Sequence, residues 1–165
     1  MTGRKRCIID ASILLDFVAG DIFDTLFSLP FEFSTSDIVA DEVSNSFSIE
    51  DLKRCGIKLV ELDEDMVDEI GVLQGDHEEL SPNDLSVYVL AKKHKAILIS
   101  GDGPLRTQAD INHVEYHGTL WLLDELVIRD LIATTDASHA LMMMLDKQTL
   151  AAPGRIRKTN QKMGI

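Results

Sequence analysis

The chain is poor in the residues from which metal clips and covalent scaffolds are built. Of 165 residues only two are cysteine, Cys7 and Cys55. Both stand beside apolar residues, so they read as buried reduced thiols and not as a disulfide framework. The five histidines (His77, His94, His113, His117, His139) are scattered, and none forms His-Glu-x-x-His or a Cys/His zinc spacing. His113 and His117 are four apart, but Ile111 to Tyr116 alternates as a strand does. A spacing of four aligns side chains only on a helix, so the pair is not read as a metal clip. Long apolar runs are missing: Val87-Tyr88-Val89-Leu90-Ala91 falls far short of the ~20 residues of a membrane span. After Arg4-Lys5-Arg6 only Cys7-Ile8-Ile9 precedes Asp10, too short for the apolar region of a signal peptide. A cytoplasmic protein without a membrane partner is expected. Bases are scarce as well, 16 against 28 acids, a net charge of −12. That excludes a broad, sequence-independent grip on DNA, which works by neutralising phosphates.

The charge is unevenly spread. No acid follows Asp146, whereas Arg155, Arg157, Lys158 and Lys162 crowd the end. The expected organisation is one domain over 1–150 and a flexible basic tail over 151–165, since the length suits one domain and 45% hydrophobic residues suffice for a core. An acidic body is a solubility device or a concentration of carboxylates around a cation.

Apolar runs alternate between strand-like and helix-like spacing. Strands are expected at Arg4–Ile9, Phe33–Thr35, Ile57–Leu62, Ala96–Ser100 and His113–Tyr116. Helices are expected at Ser12–Ala19, Ile22–Leu29, from Asp37 through Phe47, Ile49–Cys55, from Asp63 through Leu73, Asp84–Lys95, Leu105–Asp110, Leu120–Ile128 and Ser138–Leu145. This alternation implies an α/β/α layered domain on a central, mainly parallel sheet. Ligands of such sheets sit beyond the carboxyl ends of the strands.

Acids lie there. Asp10 ends the first strand and Asp102 follows the fourth. Asp84 opens the clearest helix, and Glu42 lies on the helix after the second strand. Glu42 is three residues after Val39 and four after Ile38, on the apolar, inward face, whereas Asp41 shares the wet face of Asp37. Each helix-start acid has a plain structural role. Asp10 suits a cap for the first helix, Asp102 a cap for the helix after it, and Asp84 completes a capping box with Ser81 ahead of Pro82. Capping explains neither a mid-helix Glu42 nor the gathering of acids at one sheet edge. Converging carboxylates oppose joint ionisation. Without histidine or cysteine, such a cluster suits a hard cation, Mg²⁺ or Mn²⁺, and phosphoryl-transfer chemistry by a metal-activated water.

Four stretches resemble the PIN domain, a metal-dependent ribonuclease fold of VapC-type toxins and RNA-processing nucleases. They are Ile8-Ile9-Asp10-Ala11-Ser12-Ile13-Leu14-Leu15-Asp16, Thr35–Val43, Leu80–Ala91 and Leu98–Leu105, in that order. The resemblance implies a three-layer PIN-like fold. It also implies a Mg²⁺- or Mn²⁺-dependent ribonuclease, a hydrolase of phosphodiester bonds in single-stranded RNA. Asp10 and Asp102 would hold the principal ion, and Asp84 and Glu42 would complete the shell. Ser12 and Ser100 are read either as hydrogen-bond partners of the carboxylates or as turn and strand-end residues. Ser100 stands where the family often has threonine. Gly103-Pro104-Leu105 supplies no further acid, which weighs against a second ion.

A toxin of this kind would have an antitoxin protein as partner. A second copy of the chain or an antitoxin groove would need Met142–Met144 and the Ile13, Phe17, Phe23, Phe27 face to be exposed; otherwise these residues, like Trp121, are core. The rival readings are a PIN-like scaffold module of little catalytic power and a metal-dependent phosphatase. The phosphatase lacks its second acid, because Ser12 stands two residues after Asp10.

Overall fold

The computed structural model describes residues 3–151. All but the first residue of the expected basic tail lies outside the described residues. Five parallel strands form one sheet in the order β3-β2-β1-β4-β5. They are β1 (Lys5–Ile9), β2 (Phe31–Ser36), β3 (Lys58–Val60), β4 (Ile97–Ile99) and β5 (Tyr116–His117). Helices cover the sheet on both sides, which is why Cys7–Ile9 of β1 and Ile97–Ile99 of β4 read as unbroken apolar runs and not as alternating ones. The architecture is the expected three-layer α/β/α fold.

Strand order places the site. The chain leaves β1 for β2 and β3 on one side, then returns to put β4 and β5 on the other. The direction therefore reverses between β1 and β4, the place where open parallel sheets leave a crevice. Ile9 is in register with Ile99, and the Asp10 N–H donates to the Ile99 carbonyl at 3.0 Å. Asp10 and Ser100 thus emerge level at the mouth of that crevice.

Helix α6 (Pro82–His94) forms the centre of one layer, against β1, β2 and β4 and between its neighbours α5 (Glu64–Asp76) and α7 (Gly103–Ile111). Every residue from Leu85 to Ala91 is buried. A helix surrounded on all sides needs no polar stripe, so its apolar positions run continuously. Its first turn is fixed by Ser81, Pro82 and Asp84 in the expected capping box. In the other layer, α1 (Ala11–Ala19) packs against α9 (Thr134–Ala151), which also meets α8 (Thr119–Ile128). Ile13 and Phe17 of α1 are fully buried core residues, and so is Met144 of α9. Ile13 and Phe17 therefore present no exposed surface, and Phe23 and Phe27 are half-buried against the core, whereas Met142 is 64% exposed. The Trp121 ring stacks between Phe31 and His117, with centroids at 5.4 and 4.2 Å. Both cysteines are free thiols. Burial pushes the Cys7 thiol up to about 12, beyond reach of ionisation at neutral pH.

Several expected elements differ in extent: the helix expected at Ser138–Leu145 runs from Thr134 to Ala151 as α9, the one at Ile22–Leu29 shortens to α2 (Phe23–Leu26), and the one at Ile49–Cys55 is α4 (Ile49–Arg54). The helix after β2, α3 (Asp37–Glu42), stops at Glu42 and does not continue through Phe47. Val43 caps it, and Ser44-Asn45-Ser46 follows as a turn, because these short polar side chains offer the backbone alternatives to helical bonding. Glu42 therefore ends the helix and is exposed, neither mid-helix nor on a buried face. The strand expected at His113–Tyr116 is only Tyr116–His117. Ile111 closes α7 and His113 turns in the left-handed region at φ 57°. The apparent alternation there belongs to a helix end and a turn. Among the described residues no helix is long and apolar enough to cross a membrane.

Candidate active site

Asp10 occupies the centre of the crevice. It is 4% exposed and caps α1, with Oδ1 accepting the Ala11 N–H at 2.7 Å. Its Oδ2 accepts the Ser100 hydroxyl at 3.0 Å. The same Ser100 oxygen accepts the Asp102 N–H at 3.1 Å. One buried hydroxyl thus ties the first acid to the backbone of the last, across β1 and β4. Asp102 is the N-cap residue of α7, yet its carboxylate makes no capping bond, so capping is not the side chain's role.

Two further acids stand around Asp10. The Asp84 Oδ2 accepts the Ser81 N–H at 3.1 Å, so the plain structural role expected of it is real. Its charge also bears on Asp10. Burial first, and the Asp84 charge next, push the Asp10 carboxyl up to about 7, with Glu42 adding to the rise. The Ser100 and Ala11 hydrogen bonds oppose that rise, because they favour the charged form. Glu42 reaches the site from the end of α3, its Oε1 accepting from Asn83 Nδ2 at 2.7 Å. The fold therefore gathers Asp10, Asp84 and Glu42 into one electrostatic neighbourhood and links Asp102 to it through Ser100. Ser12 lies half-buried in the first turn of α1.

Several residues that hold this frame were not singled out in the sequence, apart from Ser36, which with Asp37 reads as a helix cap. Asn83 orients Glu42. Ser86 donates to the Asn83 carbonyl at 2.7 Å and lies 2.7 Å from the Ser36 hydroxyl. Ser36 in turn caps α3 by accepting the Val39 N–H. Thr35 donates to the Ile9 carbonyl at 2.7 Å, steadying the end of β1. Ser86 did carry a signal, as the one serine or threonine in the apolar run Leu85–Ala91. A polar side chain there must find a buried partner.

The donor chemistry suits a hard divalent cation. All the groups are oxygens, and ionisation of the central carboxylate is opposed by burial and then by its acidic neighbours, a conflict that a cation relieves. Among the described residues, no three histidine, cysteine, aspartate or glutamate side chains stand close enough to enclose an ion. Mg²⁺ does not require such a cage, since it keeps several waters and takes one or two carboxylates.

Comparison with solved structures agrees with the fold. PAE2754 from Pyrobaculum aerophilum superposes with a TM-score of 0.55 at 15% identity, covering 77% of this chain and 99% of that one. A PilT N-terminus domain protein, SSO1118 from the hyperthermophilic archaeon Sulfolobus solfataricus P2, gives a TM-score of 0.48 at 14% identity, covering 72% and 91%. No curated protein sequence matches. The PIN domain family model matches residues 6–164, nearly the whole chain, and the chain belongs to the PIN domain family.

Proposed function

We propose that the protein is a divalent-metal-dependent ribonuclease that hydrolyses phosphodiester bonds of single-stranded RNA. The observation that carries this reading is Asp10: a buried carboxyl at the switch point, pinned on both oxygens, with Asp84 and Glu42 opposing its ionisation. PIN domains are generally nuclease-like, which agrees with it.

Asp10 and Asp102 would hold a Mg²⁺ or Mn²⁺ ion, with Asp84 and Glu42 completing its surroundings directly or through water. Bound there, the ion supplies positive charge at the reacting phosphate and lowers the pKa of water. The chain's own contribution is position. The Ser100 hydroxyl sets the orientation of Asp10 and the start of α7 together, so one side chain positions the first acid and the backbone of the last. Asn83 holds Glu42 at the rim, and the capping box holds Asp84 on the first turn of a buried helix. Such outer hydrogen bonds typically change metal affinity or activity 10–100-fold when removed. The net charge of −12, which opposes a grip on RNA, favours a second reading, a PIN-fold binding module without catalysis.

One experiment separates the two. Mixed-sequence single-stranded RNA is incubated with wild type and Asp102→Asn, with Mg²⁺, with Mn²⁺ and with EDTA. Cleavage that requires the ion and is lost in the variant supports the nuclease. No cleavage, together with no thermal stabilisation by either ion, refutes it and leaves the binding module.

A further inference from the structure

We propose that Arg106, seated against Gly118, is the site's RNA-phosphate clamp. The proposal rests on the ribonuclease reading and names the group that holds the substrate there. A site built of acids in a chain of net charge −12 repels a polyanion. Much of the fold's basic charge is at the far end: Lys5 and Arg6 open β1, Lys58 opens β3, and Lys92 and Lys93 lie in the last turn of α6 before β4. Arg106 is at the carboxyl end instead. Its Nε donates to the Ser100 carbonyl at 3.0 Å, on the residue whose hydroxyl holds Asp10. Its guanidinium lies over the Tyr116 ring, 5.4 Å from the centroid.

The seat is shaped for this side chain. Gly118 is buried just after β5, with φ −132° and ψ −163°, extended backbone that any residue adopts. Its backbone does not call for glycine; the space does. A Cβ added there would run into Arg106 Nη2 well inside contact distance. The fold thus leaves out a side chain where the guanidinium sits, and fixes the fork from three sides beside the metal-binding carboxylates. A planar fork held in place loses little entropy on meeting a phosphate and binds it through paired N–H donors.

The test compares wild type, Arg106→Ala, Arg106→Lys, Gly118→Ala and the Arg106→Ala/Gly118→Ala double variant. Binding of a short fluorescent single-stranded RNA is measured by anisotropy in EDTA over a range of salt, and cleavage kinetics with Mn²⁺. Thermal midpoints confirm that each variant is folded. Arg106→Ala should weaken binding about tenfold and lower the salt slope by about 0.7, the loss of one phosphate contact. The fall in kcat/KM should come through KM. Gly118→Ala should match it, since the new Cβ displaces the fork, and should add nothing in the Arg106→Ala background. Arg106→Lys should recover the salt slope but not the full affinity; a purely structural arginine would show no such split. Unchanged affinity and slope in Arg106→Ala, with RNA still cleaved by wild type, overturns the clamp and leaves the nuclease standing. A wild type that neither binds nor cleaves RNA overturns both.

Discussion

Asp10→Asn should stabilise the protein at pH 8, by an amount that shrinks as the pH falls. In the unfolded chain Asp10 has its ordinary pKa of 3.8; in the folded protein it stands at about 7. Below pH 4 the carboxyl is protonated in both states. Between about 4 and 7 the unfolded chain has released a proton that the folded protein keeps, so stability falls as pH rises; above 7 it levels off. The full difference, about 3 units, corresponds to about 4 kcal/mol. The amide removes that cost but has one acceptor oxygen where the carboxylate has two, so it gives up either the Ser100 or the Ala11 hydrogen bond, worth about 1–2 kcal/mol. A net gain of about 2 kcal/mol remains at pH 8, or roughly 4–8 °C in Tm. Between pH 5 and pH 8 the gap to wild type should widen by about 3 kcal/mol. Thermal melts of both proteins in EDTA at the two pH values measure this directly. Adding Mg²⁺ at pH 8 should raise the wild type and leave the variant unmoved. A variant no more stable than wild type at pH 8, or a gap independent of pH, would refute the burial-and-repulsion account of Asp10.

Further substitutions test the frame of the site and the end of α6. Ser100→Ala removes the hydroxyl that favours the charged Asp10, so at pH 8 without metal it should cost about 2 kcal/mol in chemical denaturation; Ser100→Thr should restore most of that. Ser36→Ala loses both the α3 cap and the Ser86 partner and should cost about 2 kcal/mol, more than Ser86→Ala. Asn83→Ala frees Glu42 and should weaken Mg²⁺ binding, read by isothermal titration, about tenfold. Lys95 closes α6 with φ 52°, so Lys95→Gly should stabilise by about 1 kcal/mol in a urea titration; a destabilised variant would contradict the left-handed cap.

The order of strands and helices, the capping box of α6 and the candidate acids were legible in the residues. Those features are local: an alternation of apolar runs, a Ser-Pro-Asn-Asp start, an acid at the end of a strand. Glu42 does bear electrostatically on Asp10, but the reason given for singling it out fails. Periodicity placed it on a buried face of a long helix, whereas α3 ends there and the carboxylate turns outward to Asn83. Nothing local reports where a short helix stops once serine and asparagine compete for its backbone.

The remaining features were decided by tertiary structure. The sequence by itself determined which residues can cap, alternate or carry charge. It did not determine that β1 and β4 are neighbours, so the Asp10–Ser100–Asp102 link, spanning 90 positions from Asp10 to Ser100, could not be read from it. The same holds for the rise of Asp10 and the space that Gly118 leaves for Arg106. Hydrogen bonds, desolvation and steric fit depend on separation in space, and separation in space is set by strand order and register.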